Sequence, residues 1–305
     1  MTILLSGASG FVGTALLRRL QREGLGAVAL PRVFGFSHDS YFASALVDVH
    51  TVVHLAARVH VMRDPDADPF AAFRAVNVGG TLSFARQAAA AAVKRFVFLS
   101  SVKVNGESTQ IGRMFSEVDL PNPQDAYGQS KYEAEVGLQQ VAEDTGMEVV
   151  IIRPPLVYGP GVKANFAALM KVVQRGWPLP LGAVHNQRSL VALDNLVDFI
   201  VTCTTHPQAA NHTFMVSDGH DLSTTELVQG LARAAGVPGR LLPVPVWALK
   251  ATAALLGKSD AMQRLCGNLQ VDISKARRLL GWVPPVSVEE GLRRAVAGRD
   301  DEANI

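Results

Sequence analysis

Tyr127 and Lys131 stand four residues apart in the run YGQSK, a spacing that puts both side chains on one face of a helix. A phenol is a poor acid or base at neutral pH because its ordinary pKa is about 10. An ammonium group one helical turn away favours the phenolate and so makes proton transfer easier. Taken alone, the pair fits a plain surface helix as well as it fits an enzyme.

A glycine-rich turn near the start of the chain adds a second chemical signal. Gly7, Gly10 and Gly13 lie in GASGFVG, between the apolar run TILLS and an amphipathic stretch. Glycines there let the backbone approach a pyrophosphate, and the following helix offers its N–H groups to the anion. The order of strand, turn and helix predicts a dinucleotide-binding site.

The residues after the second predicted strand bear on which dinucleotide is bound. Proteins that bind NAD place an Asp or Glu about 20 residues after the glycine turn, where it bonds the ribose 2′-OH. This chain has Leu30, Pro31 and Arg32 there, and its next acid is Asp39. A guanidinium suits a 2′-phosphate, so the sequence favours NADP(H). NAD(H) stays possible, because Arg32 also fits a solvated surface residue.

Alternating apolar and amphipathic stretches predict the elements that position these residues. Strands followed by helices indicate parallel pairing through right-handed crossovers. We expect an α/β fold with a Rossmann-type, doubly wound parallel sheet and a smaller C-terminal substrate-binding lobe. The predicted dinucleotide-binding domain spans residues 1–160, and residues 161–305 form mainly the second lobe, with late returns to the sheet. The stretches are TILLS, Phe11 to Glu23, GAVAL, TVVHLAA, Phe70 to Val93, RFVFLSS, Tyr127 to Thr145 and EVVIIRP.

Composition excludes several other classes of protein. The 305 residues are 48% hydrophobic with a net charge of +2, which gives no electrostatic footprint for nucleic acid. Cys203 and Cys266 are too few for a disulfide framework and lack metal-ligand spacing, so no metal is expected and a reducing cytoplasm is the simplest location. The most membrane-like stretch, Leu241 to Leu256, is too short and interrupted to span a bilayer. It predicts a buried or interface helix; without a basic cluster beside it, a peripheral membrane contact is the weaker interpretation.

The motifs in this order resemble the extended short-chain dehydrogenase/reductases of the NAD-dependent epimerase/dehydratase family that act on nucleotide sugars. The resemblance covers nearly the whole chain and rests on GASGFVG, VVHLAA, the run NVGGT, SSVKVNG, YGQSK, RPPLVYGPG and RSLVALDNLVD. It implies that Ser101 holds the substrate oxygen together with Tyr127. It also implies that Lys131 bonds the nicotinamide ribose and lowers the pKa of Tyr127.

The same resemblance implies the remaining binding residues. Besides Arg32 and the catalytic pair Tyr127 and Lys131, the cofactor residues would be Gly7, Ser9, Gly10, Phe11, Val12, Gly13, Leu55, Ala56, Ala57, Asn77, Ser100, Pro154 and Leu156. Asn165 and Arg188 match positions that contact the diphosphate of a UDP-sugar, and Arg264 is a weaker match that fits a surface salt bridge equally well. Pro178 to Gly182, with Leu179 and Leu181, resembles a strand that borders the uracil ring. Lys103 is either a contact to a polar sugar substituent or a solvated lysine.

The resemblance leaves more than one reaction open. Dehydration is improbable because Val102 and Lys103, rather than an acid, follow Ser101. The missing acid after the second strand favours a reductase, which takes fresh NAD(P)H at each turnover. The combination of ARVHVM, SSVKVNGE, GPGVKANF and RSLVALDNLVD most resembles the branch of the family that reduces UDP-4-keto-6-deoxy-N-acetylhexosamines at C4 for surface polysaccharide synthesis. The alternative is a UDP-glucose or UDP-N-acetylglucosamine 4-epimerase with tightly bound NAD. A catalytically silent nucleotide-binding regulator is a third possibility. By analogy we expect a homodimer formed through the stretches Phe70 to Val93 and Tyr127 to Thr145.

Overall fold

The computed structural model describes residues 1–31, 39–58 and 68–298. Eight strands are found in these residues. They are β1 (Thr2–Ser6), β2 (Gly26–Ala29), β3 (Thr51–His54), β4 (Arg95–Leu99), β5 (Glu148–Arg153), β6 (Leu156–Tyr158), β7 (Leu190–Ala192) and β8 (His212–Met215).

Helices occupy most of the segments between the strands. They are α1 (Phe11–Arg22), α2 (Asp39–Ala45), α3 (Pro69–Phe73), α4 (Thr81–Ala90), α5 (Ala126–Thr145), α6 (Ala164–Gln174), α7 (Leu193–Thr205), α8 (Thr224–Ala234), α9 (Val246–Leu255), α10 (Ser259–Cys266), α11 (Ser274–Leu280) and α12 (Val288–Ala297). A π-helical segment, Arg74–Gly80, joins α3 to α4, and short 3₁₀ turns form at Val102–Val104 and Pro207–Ala209.

Six strands form one parallel sheet in the order β2-β1-β3-β4-β5-β8. Successive side chains of a strand point to opposite faces, so each central strand contributes to two cores. In β1, Ile3 and Leu5 join the core that α1 and α7 cover, whereas Leu4 joins the core under α4 and α5. Burial on both faces explains why these strands read as continuous apolar runs.

A second lobe is built mainly from the C-terminal half around its own apolar cluster. Its core includes Tyr158, Phe166, Leu190, Leu231 and Leu249, and its short sheet pairs β6 with β7 in parallel. The chain returns from this lobe to the main sheet through α7 and β8. The predicted α/β fold and doubly wound sheet are confirmed. The boundary at residue 160 stays a prediction.

One predicted element differs. The stretch Pro178 to Gly182 resembles a strand, but the structure has an isolated parallel bridge there, between Leu179 and Leu241. A further backbone hydrogen bond runs from the Gly182 N–H to the Leu242 carbonyl, whereas Pro178 and Pro180 have no N–H to donate to a ladder. No helix among the described residues is long and apolar enough to cross a membrane.

His54, at the end of β3, joins the sheet to a helix from a fully buried position. Its Nδ1 lies 2.6 Å from Ser6 Oγ of β1, and its Nε2 lies 3.0 Å from Thr81 Oγ1 of α4. Burial, together with a smaller effect of the Lys131 charge, lowers the pKa of His54 to about 3. The imidazole is therefore neutral in the folded protein at ordinary pH.

This burial predicts an acid-sensitive contribution to stability. The pKa of His54 is about 3 in the folded protein, against the ordinary histidine value of 6.5, so below pH 6.5 the unfolded chain binds a proton that the folded protein does not. The contribution of neutral His54 to the free energy of unfolding is complete above pH 6.5. It falls by about 1.4 kcal/mol per pH unit as the pH decreases from 6.5 toward the pKa of His54 in the folded protein. Denaturant unfolding of the wild type and His54→Asn between pH 6.5 and about 4.5 measures it. Equal slopes for the two proteins would contradict the prediction.

Candidate active site

The helix α5 positions the Tyr and Lys pair. Asp125 caps its N-terminus by accepting a 2.7 Å hydrogen bond from the backbone N–H of Gly128. A carboxylate cap satisfies an otherwise unpaired donor and favours helix initiation at this point. Tyr127 and Lys131 follow in the first turns, with the Lys131 Nζ 5.8 Å from the centroid of the Tyr127 ring. The predicted helical pairing of these two side chains is therefore present.

Lys131 is a buried lysine with only a few contacts. Its Nζ donates a 2.8 Å hydrogen bond to the carbonyl of Leu99 and lies 4.4 Å from the centroid of the Phe98 ring. Burial lowers the pKa of Lys131 to about 7, against the carboxylate of Glu135, which raises it. The Lys131 amine therefore titrates close to neutral pH, where a modest change of nearby charge decides whether it is protonated.

The pKa of Tyr127 is shifted in the opposite direction to that of Lys131. Burial of its hydroxyl raises the pKa of Tyr127 above the usual range, and the negative charge of Asp125 raises it further. The ring packs edge-on against Phe73 at 6.3 Å between centroids. In this arrangement the protonated phenol is the resting form, which makes Tyr127 a proton donor unless a positive charge draws the proton away.

Ser101 lies at the carboxyl end of β4, where it caps the 3₁₀ turn Val102–Val104. Its Oγ accepts a 3.2 Å hydrogen bond from the N–H of Lys103. The backbone on either side is tied to the neighbouring strand, since the Ser100 N–H donates to Ile152 and the Val102 N–H donates to Pro154. The hydroxyl therefore sits on a rigid strand end.

Lys103 links this turn to the N-terminus of α5. Its Nζ donates to Asp125 Oδ2 at 2.5 Å and to Glu107 Oε1 at 2.7 Å, while the other oxygen of Asp125 caps the helix. A Cβ on Gly128 would lie 2.8 Å from the carbonyl of Lys103, so only glycine permits this approach. The ion pair and the close backbone contact together set Ser101 against the helix that carries Tyr127.

A buried ionic network lies beneath the pair. Arg153, at the end of β5, donates to Glu135 through Nε at 3.0 Å and through Nη2 at 2.5 Å. Its Nη1 donates to Asn105 at 3.0 Å, and Ser100 Oγ donates to Glu135. Both charged side chains are nearly inaccessible, at 2% for Glu135 and 6% for Arg153. Glu135 lies one turn beyond Lys131, on the same face of α5.

Asn77 connects the loop after β3 to the same helix. Its Oδ1 accepts from the N–H of Arg58 at 2.7 Å, and its Nδ2 donates to the Arg58 carbonyl and to Ser130 Oγ. Ser130 in turn donates to the carbonyl of Tyr127 at 2.8 Å. Asn77 thus holds the loop that contains the predicted cofactor residues Leu55, Ala56 and Ala57 against α5.

The glycine turn fits the pyrophosphate of a dinucleotide. A Cβ on Gly7 would lie 2.7 Å from the N of Ala56, and one on Gly13 would lie 2.2 Å from the carbonyl of Gly7. The N-terminus of α1 has no side-chain cap and no acid in its first turn, so its N–H groups are available to an anion. Ser9, Phe11 and Val12 belong to this same turn.

The second lobe brings several predicted substrate residues toward the first. Arg188 donates a 3.1 Å hydrogen bond to the carbonyl of Gly267. Burial lowers the pKa of Arg188, the negative charge of Glu107 opposes this shift, and the positive charge of Arg264 adds to it. The positive charge of Arg264, which is exposed on α10, also contributes to lowering the pKa of Asp125. Arg188 and Arg264 therefore share one charged cluster with Lys103 and its two carboxylates.

Other predicted residues lie in varied surroundings. Asn165 is exposed at the start of α6, and Leu179 is partly buried. Leu181 is buried in the second core, where its carbonyl accepts from Thr225. Pro154 is buried and Leu156 is 47% exposed. Arg32, the basis for favouring NADP(H), lies outside the described residues.

The comparisons with known proteins agree with this geometry. A model of the NAD dependent epimerase/dehydratase family matches residues 3–217. The chain belongs to this family. A protein of Vibrio cholerae named UDP-glucose 4-epimerase is 49% identical over 311 residues, covering 96% of this chain and 94% of that protein. The predicted membership among extended short-chain dehydrogenase/reductases is confirmed.

Solved structures show the same fold. The UDP-glucose 4-epimerase of Thermotoga maritima, with UDP-glucose, has a TM-score of 0.78 at 23% identity and covers all of both chains. RMD from Pseudomonas aeruginosa, complexed with NADPH, has a TM-score of 0.78 at 21% identity over 97% of this chain and 99% of that chain. The Thermus thermophilus UDP-glucose 4-epimerase, with NAD, scores 0.76 at 21% identity over 97% and 98%.

The sequence reasoning missed the residues that support the pair. Glu135 follows Lys131 at the same four-residue spacing that joins Tyr127 to Lys131, which was an available signal. No sequence signal pointed to Arg153, because only the tertiary fold brings the end of β5 against α5. The cap by Asp125 stands two residues before Tyr127 and is typical of a helix start.

Removing the buried carboxylate tests the network. Glu135→Gln leaves the Arg153 guanidinium without its counter-charge, and we expect a loss of about 3–5 kcal/mol in the free energy of unfolding. Glu133→Gln is the matched control on the same helix, because Glu133 pairs with Arg74, whose side chain is 64% exposed. Glu133→Gln should lower the free energy of unfolding by only about 0–1 kcal/mol. Denaturant unfolding measures both, and equal losses would show that the buried pair is not special.

Proposed function

We propose that the chain is a UDP-hexose 4-epimerase that oxidises and re-reduces C4 of the sugar on a retained nicotinamide dinucleotide. The observation that carries the proposal is the 49% identity, over 96% of the chain, to a protein named UDP-glucose 4-epimerase. That likeness extends over both the dinucleotide-binding end and the second lobe. The arrangement of Ser101, Tyr127 and Lys131 supports acid–base chemistry at an alcohol carbon.

The proposed roles follow from the environment of each side chain. Tyr127 takes the proton of the C4 hydroxyl and later returns it to the C4 oxygen. Protonated Lys131 favours the phenolate form of Tyr127 that the first step needs, and Ser101 holds the sugar oxygen from its rigid strand end. A bound nicotinamide would supply the acceptor and donor for the C4 hydride, and C4 is inverted if the keto-sugar turns over so that the hydride returns to its opposite face. The glycine turn and the Leu55 to Ala57 loop would hold the dinucleotide.

The second lobe is proposed to hold the nucleotide diphosphate. Arg188 and Arg264 supply the positive charge, and Arg188 is kept in place by the carbonyl of Gly267. Guanidinium groups suit phosphate oxygens because their N–H groups form a planar fork. Asn165 adds an exposed amide at the N-terminus of α6, and Leu179 with Leu181 would border the base.

A reductase of a UDP-4-keto-6-deoxy-N-acetylhexosamine remains the second candidate. The raised pKa of Tyr127 favours the protonated phenol, which is the form that a reduction needs in its first step. The described residues directly after β2, Leu30 and Pro31, supply no acid for a ribose hydroxyl. A reductase that exchanges NADPH at each turnover accommodates both observations.

One experiment separates the candidates and tests Tyr127. Purified protein is given UDP-glucose or UDP-N-acetylglucosamine, and NMR follows the C4 epimer while absorbance follows the nicotinamide. Epimerisation without net cofactor consumption is expected. Tyr127→Phe should lower the turnover number about 10²- to 10⁴-fold with substrate binding retained. Tyr132→Phe, on the same helix, is the control and should turn over normally.

The opposite outcomes are equally informative. Oxidation of NADPH in step with consumption of UDP-4-keto-6-deoxy-N-acetylglucosamine, without epimerisation of the other sugars, would establish the reductase. A preference for NADPH over NADH would then support the prediction for Arg32. Substantial turnover by Tyr127→Phe would remove Tyr127 from the acid–base role in either reaction.

Lys103 is expected to position the site rather than to contact the sugar. Lys103→Met removes both ion pairs that hold the Ser101 turn against α5, and we expect the turnover number to fall about 10- to 100-fold with little change in KM. Lys103→Arg, which keeps the charge, should recover most of the activity. A rise in KM alone, with the turnover number unchanged, would instead indicate that Lys103 contacts substrate.

A further inference from the structure

The helix α9 leaves much of an apolar sequence uncovered. Its ten residues, VWALKATAAL, contain one charged residue, and only Leu249 and Ala253 are buried. Trp247 is 74% exposed, and Leu255 and Leu256 at the helix end are 88% and 66% exposed. A surface helix normally turns its apolar side to the core, so this helix presents apolar surface that the described residues do not cover.

A neighbouring segment extends the apolar surface. The segment after α6 is bonded to the segment before α9: the Leu179 N–H donates to the Arg240 carbonyl at 2.9 Å, and the Leu242 N–H donates to the Leu179 carbonyl at 2.8 Å. Close to this contact, Trp177 is 57% exposed and Leu242 is 51% exposed. We call Trp177, Leu242, Trp247, Leu255 and Leu256 the lobe face. It includes two of the three tryptophans of the chain, while Trp282 is buried.

The chain segments that contain the lobe face carry charges of one sign. Residues 149–193 and 227–259 contain no Asp or Glu, and the next acid along the chain is Asp260. Lys250 lies within α9, Lys258 follows it, Arg240 precedes Leu242, and Arg175 lies 5.4 Å from the ring centroid of Trp177. Among the described residues, no ion pair involves any of these four cations. The chain as a whole has a net charge of only +2, so this positive region is local.

A second exposed apolar stretch shows what distinguishes the lobe face. Ile111 and Leu120 are 91% and 88% exposed in the loop before α5, but Glu117 and Asp119 lie in the same loop. Exposed apolar groups therefore occur elsewhere on the molecule with carboxylates beside them. The tryptophan and leucine side chains of the lobe face come from segments that carry lysine and arginine but no acid in residues 149–193 and 227–259.

We propose that the lobe face binds the surface of an anionic lipid membrane. Tryptophan and leucine insert at the boundary between headgroups and acyl chains, and lysine and arginine bind the negative headgroups. Charge complementarity selects this occupant over a second copy of the chain, because two such positive faces would repel each other. The attachment is peripheral and reversible, since α9 is far too short to span a bilayer.

Vesicle binding tests the proposal with full-length protein. Flotation with phosphatidylcholine vesicles is compared with flotation on equal mixtures of phosphatidylcholine and phosphatidylglycerol. Binding is expected to the anionic vesicles only and to weaken as salt is added. Tryptophan emission should shift to shorter wavelength on binding, and brominated lipid should quench it. Trp177→Phe and Trp247→Phe identify which ring enters the lipid.

Two variants and a matched control make the result specific. Lys250→Ala with Lys258→Ala should weaken binding to anionic vesicles about 25-fold, since each cation near such a surface contributes about fivefold. Trp247→Ser with Leu255→Ser should reduce flotation with anionic vesicles to the level seen with phosphatidylcholine vesicles. Ile111→Ser with Leu120→Ser removes equally exposed apolar groups elsewhere and should bind like the wild type. Denaturant unfolding confirms that each variant is folded.

Three outcomes would overturn the proposal. The first is that the wild type fails to bind anionic vesicles. The second is that the lobe-face variants bind as well as the wild type does. The third is that sedimentation shows self-association that Trp247→Ser with Leu255→Ser abolishes, while no vesicle binding occurs. That last result would assign the face to a second copy of the chain.

Discussion

The buried ion pair between Glu135 and Arg153 is the interaction on which the candidate site depends. It joins the helix that carries Tyr127 and Lys131 to the end of β5, and through Ser100 to the end of β4. Placing two charges in an apolar interior costs free energy that only close, multiple hydrogen bonds recover. Because each partner satisfies the other, neither side chain can shift independently. The pair therefore fixes the distance between the helix and the strand ends.

The carboxylate of this pair also affects the protonation of Lys131, which lies one turn earlier on α5. Protonated Lys131, Glu135 and Arg153 form a buried set with two positive charges and one negative charge. The charge of Glu135 raises the pKa of Lys131, against the larger effect of burial. Burial then brings the pKa of Lys131 to about 7. An anion close to Lys131 would favour its ammonium form, so the occupancy of the site and the protonation of Lys131 are coupled.

Local spacing explains what the sequence predicted. The glycine turn, the Tyr and Lys pair and the apolar strands each depend on residues close along the chain, and each element forms as expected. Partners distant along the chain were not predictable in this way. Arg153 is 18 residues from Glu135, and Lys103 is 22 residues from Asp125. The stretch Pro178 to Gly182 pairs with residues 240–242 only through a bridge and a few hydrogen bonds, because its two prolines have no N–H to donate to a longer ladder.

The lobe face shows the same limit for surfaces. The stretch from Leu241 to Leu256 predicts a buried or interface helix, and no basic cluster stands beside it in sequence. The fold supplies part of the missing charge from elsewhere, because the segment that follows α6 lies against the segment that precedes α9. Arg175 and Trp177 reach the face by this contact. A peripheral site assembled from two segments leaves no continuous motif in the sequence, because the contact that joins the segments exists only in the tertiary structure.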